Sequence, residues 1–316
     1  MTDLAFIVRK IVAETPSVRA LVLEATSESP LPAWHPGAHI RLRLPNGADR
    51  PYSLVDLAAW RTGRHYVLGV RREPDSAGGS QFVHALREGD RVETSAPINR
   101  FELRDGAGEV LLLAGGIGIT PILSMAAACA RSGRPFKLHY LGRTGGELAF
   151  LDELRAICGE RLITHYDDGP SGRPDFAALI GGVAPAADIY VCGPTGMIDA
   201  VKAVAGAVGH PPARLYYELF TATPAADESP FEVEIKSTGQ VVSVGADQSI
   251  IDALTASAVD VVYDCRRGDC GICQTGVLAG TPDHRDVVLT EEEKASNKVM
   301  QICVSRAKSP RLVLDL

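Results

Sequence analysis

The chain has 316 residues, 46% apolar and 22% charged, with a net charge of −7. This composition is that of a folded globular protein long enough for two domains, with room for a third. The acidic balance argues against nonspecific nucleic-acid binding, and no apolar run is long enough to span a bilayer or resembles a secretory leader, so a cytoplasmic protein is expected.

Residues 1–104 read as all-β. LAFIVRKIVAE, RALVLEAT, HIRLRL, RHYVLGVRR and DRVETSAP are short β-rich runs set apart by Pro, Gly and Asn. One helix is expected at GSQFVHALREGD, with Phe82, Val83 and Leu86 on one face. The pattern predicts a small closed antiparallel β-barrel. Within it, Arg50, Tyr52 and Ser53 of RPYS open a β run. Arg can hold a phosphate, Tyr can cover an aromatic ring and Ser can hydrogen-bond a ring nitrogen. The same four residues also suit an exposed strand edge. Gly79 and Ser80, in GGS ahead of the helix, form a second candidate anion site with Ser80 as helix cap. A flexible loop ending in a capped helix reads the same way.

Residues 105–222 change texture. GEVLLLAGGIGITPILSMAAACARSG reads as a buried strand, a glycine turn and a helix. FKLHYLGRT, RLITHYDD and ADIYVCGP are further strands, and ELAFLDELRAIC and TGMIDAVKAVAGAVG are helices. The alternation predicts a doubly wound α/β domain with a parallel sheet. Gly115, Gly116 and Gly118 would let backbone N–H groups approach a pyrophosphate. Thr120 is expected as N-cap and Pro121 at the first helical position, with the helix N-terminus facing the anion. The run is not G-x-G-x-x-G, and a tight strand–helix turn without a ligand is the alternative. Cys192, Gly193 and Pro194 close strand DIYV, where ligands of open α/β sheets bind. Taken alone, Cys192 reads as a small buried residue.

TATPAADESP lacks apolar periodicity, and residues 223–230 are expected to be a linker. Residues 231–316 read as a compact α+β module. FEVEIKSTGQVVSVG suggests a hairpin turning at Thr238-Gly239, and SIIDALTASA a helix. Then come Cys265, Cys270 and Cys273, spaced C-x4-C-x2-C, and Cys303 after 29 further residues, in QICVS, which reads as a strand. This is the spacing of plant-type 2Fe-2S ligands. Two irons and two sulfides need four soft anionic donors, which thiolates supply. Structural zinc would usually pair C-x2-C with a second such pair, and Cys303 has no partner. Gly268 and Gly271 let the loop fold tightly around the cluster.

RPYS, GGS, GGIGITP, CGP and the cysteine loop occur in one order. In order and content the chain resembles, over its whole length, the phthalate dioxygenase reductase family, which includes vanillate O-demethylase reductases. The resemblance implies an FMN-binding β-barrel, an NAD(H)-binding domain and a C-terminal β-grasp ferredoxin domain. It assigns Arg50, Tyr52 and Ser53 to the flavin ring, with Ser53 near the reactive nitrogen, and Gly79 and Ser80 to the FMN phosphate. FMN rather than FAD is expected, because the segment closes on one phosphate and no adenine site is evident. GGIGITP would hold the NADH pyrophosphate, and Cys192, Gly193 and Pro194 would lie near the nicotinamide. Glu218 and Phe220 in YYELF match an acidic-x-aromatic end that lies against the flavin; ordinary strand-end packing is the alternative.

Arg143, after the second strand of the nucleotide domain, would suit a 2′-phosphate. Asp167 and Asp168 would repel one, and NADH is favoured over NADPH. The family implies hydride transfer from NADH to FMN, then single electrons through the cluster to a Rieske-type oxygenase. Rieske centres lie at about −150 to +300 mV and plant-type clusters near about −400 mV, so the flow is downhill. A non-catalytic subunit of a permanent complex and a reductase for a haem partner stay open as alternatives. Residues 231–316 carry 9 basic and 13 acidic side chains, a net of −4, and the run Glu291–Glu293 reads as a docking patch or as a solvated helix start. His165 and His284 read as surface or packing residues.

Overall fold

The computed structural model describes residues 4–316 except 46, 48, 74–77, 168, 170, 171, 173, 221–228, 247, 265, 267, 269 and 287. The chain divides into two units, Met1–Glu218 and Leu219–Leu316.

The first unit begins with an antiparallel sheet of seven strands: β1 (Leu4–Ala13), β2 (Val18–Ala25), β3 (Ala38–Arg43), β4 (Asp49–Ser53), β5 (His65–Arg71), β6 (Arg91–Thr94) and β7 (Ile98–Asn99). The order is β4-β3-β6-β1-β2-β5, and β7 pairs with β3. An antiparallel bridge between Leu54 and Leu68 joins the two ends, closing the expected barrel. Alternation drives the closure. Phe6, Val8, Leu21, Leu23, Ile40, Leu42 and Leu68 fill the interior, each at or below 1% exposure. Helix α1 (Gly79–Ala85) turns Val83 and Leu86 into this core, while Phe82 packs partly buried against it.

A parallel sheet follows: β8 (Val110–Gly115), β9 (Phe136–Gly142), β10 (Leu162–Tyr166), β11 (Asp188–Cys192) and β12 (Leu215–Glu218), in the order β10-β9-β8-β11-β12. Helices α2 (Ile119–Ser132), α3 (Leu151–Cys158), α4 (Phe176–Gly181) and α5 (Thr195–Ala207) connect these strands. Right-handed crossovers place α2 and α3 on one face and α4 and α5 on the other. Every residue of β8 and β11 is buried, as a strand covered on both faces requires. Two details differ from expectation. Helix α4 was not anticipated, because six residues are too few for a periodic signal; Asp175 caps it, accepting from the N–H groups of Ala177 and Ala178. Helix α3 starts only at Leu151, because Phe150 takes a left-handed conformation (φ +61°) and donates its N–H to Glu14 of the barrel at 3.1 Å.

The two sheets of this unit are pinned together by buried polar contacts. Ser124 on α2 donates to the Leu54 carbonyl at 2.8 Å and accepts from the Asp56 N–H at 3.0 Å. Asp56, 6% exposed, accepts from both Arg61 and Arg131. On the far side of the parallel sheet, His139 and His165 stack, with Nδ1 of the first 2.9 Å from Nε2 of the second. His165 is thus a packing residue. Burial first, then His165 and Lys137, pull the His139 pKa down from 6.5 to about 4. Burial lowers His165 as well. Between pH 6.5 and about 4 the unfolded chain therefore holds more protons than the folded one, and stability falls as the pH drops through that window. Denaturant unfolding at stepped pH should show this loss, and His139→Gln should flatten it. Parallel profiles for the two proteins would refute the assignment.

The second unit contains β13 (Phe231–Ile235), β14 (Val241–Val244), β15 (Gln274–Ala279), β16 (Pro282–Asp283), β17 (Val299–Gln301), β18 (Arg306–Ala307) and β19 (Arg311–Asp315), with helices α6 (Ile250–Ala256) and α7 (Glu291–Ser296). The main sheet runs β14-β13-β19-β15-β17, with β13 and β19 parallel, and β16 pairs with β18. The expected hairpin turns at Gly239 (φ +71°). Ser249 caps α6, which buries Ile250, Ile251, Ala253 and Leu254 in the core of this unit. The acidic run is the first turn of α7. Thr290 and Glu293 form a reciprocal capping box, and Glu291 pairs with Lys294 at 3.4 Å. This is the helix-start reading of the run.

Candidate functional site

β4 places Arg50 and Tyr52 on one face and Ser53 on the other, through its pairing with His39–Leu42 of β3. Gly79, opening α1, seats against that first face. A Cβ there would lie 2.7 Å from Arg50 Cγ and 3.1 Å from Tyr52 Oη, so RPYS and GGS meet only because residue 79 has no side chain. Burial pushes the Tyr52 pKa up to about 12, which keeps its hydroxyl a donor at neutral pH. Ser53 is 4% exposed, and its Oγ finds no hydrogen-bond partner among the described residues. A buried hydroxyl left unpaired costs about 1–3 kcal/mol, which a ligand atom at that position would recover. Ser80 does not cap α1 as expected. Gly78 (φ +88°) occupies the cap position, and Ser80 Oγ accepts from the Glu73 N–H at 3.0 Å, tying the two ends of the segment together.

The second cluster lies at the carboxyl ends of β8, β11 and β12, where the strand order reverses. Cys192 sits between Ala114 of β8 and Glu218 of β12 in the sheet register. Gly115 and Gly193 are backbone neighbours, since a Cβ at Gly115 would lie 2.8 Å from Pro194 Cδ and 3.3 Å from Gly193 Cα. Gly118 is pressed against the Cys192 carbonyl even more closely. The GGIG turn and the CGP turn are therefore one structure. α2 and α5 both begin there, presenting two helix N-termini to the crevice. Gly116 takes φ +54°, which favours glycine. Thr120 and Pro121 do not hold the cap and first helical positions. The helix starts at Ile119 behind Gly118, and Thr120 Oγ1 donates back to the Ile117 carbonyl at 3.1 Å. Pro121 still falls in the first turn, where its missing N–H costs no helical bond. Cys192 is fully buried, Glu218 is 1% exposed, and Phe220, two residues on, is half-buried.

Arg143 and Asp167 each follow the last registered pair of β9 and β10, Gly142 and Tyr166, so they stand side by side at the carboxyl edge. Both are exposed, and Arg143 Nε lies 3.7 Å from Glu147 Oε2. A 2′-phosphate would have to compete with that carboxylate. Asp168 lies outside the described residues. One residue the sequence reading did not single out is Gly69, in the middle of β5. A Cβ there would sit 2.6 Å from Thr120 Cγ2 and 2.8 Å from the Phe150 ring, so the barrel strand crosses directly over the start of α2. An isolated glycine inside an apolar strand run is the available signal for such an approach.

In the second unit, β15 and β17 pair Gln274 with Gln301, which puts Cys273 and Cys303 at neighbouring strand ends. The Ile302 N–H donates to the Cys273 carbonyl at 3.4 Å. Cys303 lies in the turn after β17 rather than within a strand; the ladder stops at Gln301, which frees the backbone to present the thiol. Cys273 and Cys303 are 3% and 6% exposed, and Cys270 is half-buried. Cys265 lies outside the described residues. Gly268 and Gly271 both take positive φ (+76° and +75°), and a Cβ at Gly268 would meet Val304 Cγ2 at 2.6 Å. The loop is thus folded onto the strand end that carries the fourth cysteine. Arg266 anchors it from the other side, paired with Asp252 at 2.7 Å and stacked on Tyr263. Thiolates are the soft anionic donors that an iron–sulfur cluster takes.

Residues 112–203 match the family described as oxidoreductase NAD-binding domain, and residues 233–308 the family described as 2Fe-2S iron-sulfur cluster binding domain. The chain is 43% identical to phenoxybenzoate dioxygenase subunit beta of Ectopseudomonas oleovorans, covering 93% of this chain and 91% of that protein. It is 44% identical to a vanillate O-demethylase oxidoreductase of a Pseudomonas species, over 90% and 91%. It is 40% identical to the heme-dependent oxidative N-demethylase beta subunit of Ectopseudomonas mendocina, over 96% and 95%. Among solved structures, phthalate dioxygenase reductase, described as a modular structure for electron transfer from pyridine nucleotides to 2Fe-2S, superposes with a TM-score of 0.82 at 36% identity, covering 99% of this chain and 98% of that one. Among the described residues, no helix is long and apolar enough to cross a membrane.

Proposed function

The chain belongs to the phthalate dioxygenase reductase and vanillate O-demethylase reductase family, and from that premise we propose that it is the NADH-dependent reductase component of a Rieske-type oxygenase or demethylase system. The observation that carries this reading is the convergence, within one unit, of a barrel site with an unpaired buried hydroxyl and a glycine-lined crevice joined to it by β5, in a chain that also holds a plant-type cysteine set. When bound, FMN accepts a hydride from NADH and the 2Fe-2S cluster relays single electrons to the oxygenase.

The chain's own residues bind, orient and shield these groups. Arg50, Tyr52 and Ser53 hold the flavin, with Gly79 and Ser80 at its phosphate; the unpaired Ser53 Oγ and the close seating of Gly79 against Arg50 and Tyr52 support this fit. Gly115, Gly116, Gly118, Thr120 and Pro121 form the pyrophosphate turn. Cys192, Gly193, Pro194, Glu218 and Phe220 line the nicotinamide end, where burial of Cys192 and Glu218 excludes water from the hydride path. No general base is needed. Arg143 and Asp167 face the adenosine ribose, and the Arg143–Glu147 pair favours NADH over NADPH. Cys265, Cys270, Cys273 and Cys303 ligate the cluster. The modules run from 1 to 104, 105 to 222 and 231 to 316, the linker expected at 223–230 lying outside the described residues up to 228, and the protein works in the cytoplasm.

A second reading, a haem enzyme as acceptor, is favoured by the similarity to the heme-dependent N-demethylase subunit. A non-catalytic subunit of a permanent complex is disfavoured by the nucleotide crevice. The purified chain, loaded with FMN and cluster, should oxidise NADH rapidly with ferricyanide and reduce cytochrome c, with NADPH poorer by about tenfold or more. No NADH oxidation by the loaded chain would overturn the proposal. Assay with a Rieske oxygenase and a haem demethylase then separates the two acceptor readings.

A further inference from the structure

Gln301 closes β17 and is fully buried. Its ladder partner is Gln274 of β15, the residue after Cys273, so two amides face each other beside a proposed cluster ligand. They form a chain that starts at the sulfur. Cys273 Sγ donates to Gln301 Oε1 at 3.4 Å, and Gln301 Nε2 donates to Gln274 Oε1 at 3.2 Å. Gln274 is exposed, so the chain ends at the surface. Its direction depends on one proton. A thiol can donate to an amide oxygen, but a thiolate that ligates a metal has given up its proton and can only accept. An amide oxygen held against an anionic sulfur at a buried position is repelled. The oxygen and nitrogen of an amide occupy nearly the same shape, so a half-turn about the last side-chain bond exchanges them without new space. That turn puts the Gln301 N–H where a thiolate needs a donor. Gln274 can turn in the same way at the surface and present its own N–H to Gln301 Oε1.

We propose that Gln301 donates its side-chain N–H to the Cys273 sulfur when that sulfur ligates the cluster, and thereby raises the cluster's reduction potential. The proposal rests on the cluster reading of Cys273 and adds to it a residue that sets how readily the cluster takes an electron. Hydrogen bonds to ligand sulfurs are among the levers by which a protein tunes such a centre. The reduced form carries one more negative charge than the oxidised form. A donor aimed at the sulfur therefore stabilises the reduced form more, and the potential rises. Gln301 touches no substrate and carries no electron. It is a positioning residue that acts through Cys273, and the Gln274 amide keeps it turned the right way.

The test is a spectroelectrochemical titration of the loaded enzyme that follows the cluster absorption. Gln301→Leu keeps most of the volume and removes the donor. It should shift electron sharing between the cluster and a fixed one-electron mediator by about tenfold toward the mediator, a fall of about 59 mV in potential. Gln274→Ala should shift it the same way by less, because water replaces an exposed amide. Both variants should keep the visible bands of the oxidised cluster. A second measurement needs no substitution. Pulsed EPR of the reduced wild-type enzyme, synthesised with nitrogen-15 only in its glutamine side-chain amides, should show one such nitrogen coupled to the cluster spin. Equal potentials in the wild type and Gln301→Leu would overturn the proposal while leaving the cluster reading standing, and so would the absence of that coupling. If Gln301→Leu failed to hold a cluster, the coupling in the wild type would decide. A loaded wild type with no 2Fe-2S spectrum would overturn the cluster reading itself, and the proposal with it.

Discussion

Cys303→Ser should abolish electron delivery to the oxygenase and leave NADH-dependent ferricyanide reduction largely intact. Cys303 stands two residues beyond the Gln301–Gln274 pair, and the backbone of Ile302 is bonded to that of Cys273. The proposed fourth ligand is thereby held next to the proposed third by the β15–β17 ladder. Serine preserves the size of the side chain and nothing else that matters, because its oxygen is hard and stays protonated at neutral pH, whereas an iron–sulfur cluster needs soft anionic donors. Loss of a ligand should exceed the roughly tenfold to hundredfold cost of removing a residue that only hydrogen-bonds a ligand, so transfer should fall by about a hundredfold or more. The visible spectrum should lose the broad cluster absorption and retain the flavin bands. Because Cys303 lies in the unit Leu219–Leu316 and the residues proposed for the flavin and the pyrophosphate lie in the other, NADH oxidation should survive. Simultaneous loss of both activities would show that the cluster unit does not act as a separable module.

What was legible in the sequence was whatever depends on neighbours in the chain. The C-x4-C-x2-C spacing, the apolar run VLLLA before two glycines and the alternation of the barrel strands are local patterns, and the last two appear as β8 and the barrel strands where expected. The helix caps were less legible. Ser80 and Thr120 have the right chemistry and the right offset, yet both hydroxyls bond elsewhere: one to the Glu73 backbone, the other to the Ile117 carbonyl. In both places a glycine holds the cap position, and nothing local announces that the hydroxyl has a better partner. Least legible was the junction between barrel and parallel sheet. The contacts of Gly69 with Phe150, Leu54 with Ser124 and Glu14 with Phe150 span dozens of residues or more and leave no periodic trace. The approach of barrel strand β5 to the start of α2 is a product of those contacts.

The junction between the GGIG and CGP turns yields the other large expected effect. Gly118→Ala should raise the NADH KM by about tenfold or more and lower thermal stability by several degrees, with FMN binding retained. The added Cβ would lie 2.2 Å from the Cys192 carbonyl oxygen, 2.5 Å from its carbon and 2.8 Å from Gly193 N. All three are backbone atoms, so no rotamer change relieves the clash. Gly118 has φ −60° and ψ −6°, a conformation that alanine adopts freely, so any cost comes from the contact and not from backbone strain. Overpacking of this kind costs about 1–3 kcal/mol, and in a unit of this size each kcal/mol lowers Tm by about 2–4 °C. The relief must come from moving the start of α2 away from the end of β11, which separates the two halves of the proposed pyrophosphate and nicotinamide site. Ser53 and Gly79 do not touch Gly118, so the flavin should stay. Gly206→Ala on α5 is the control: a Cβ there meets nothing within 4 Å, and the substitution should leave KM alone and stabilise the helix slightly. If Gly118→Ala matched the control in both KM and Tm, the two turns would not be packed as one structure, and the crevice could not owe its shape to the absence of a side chain at residue 118.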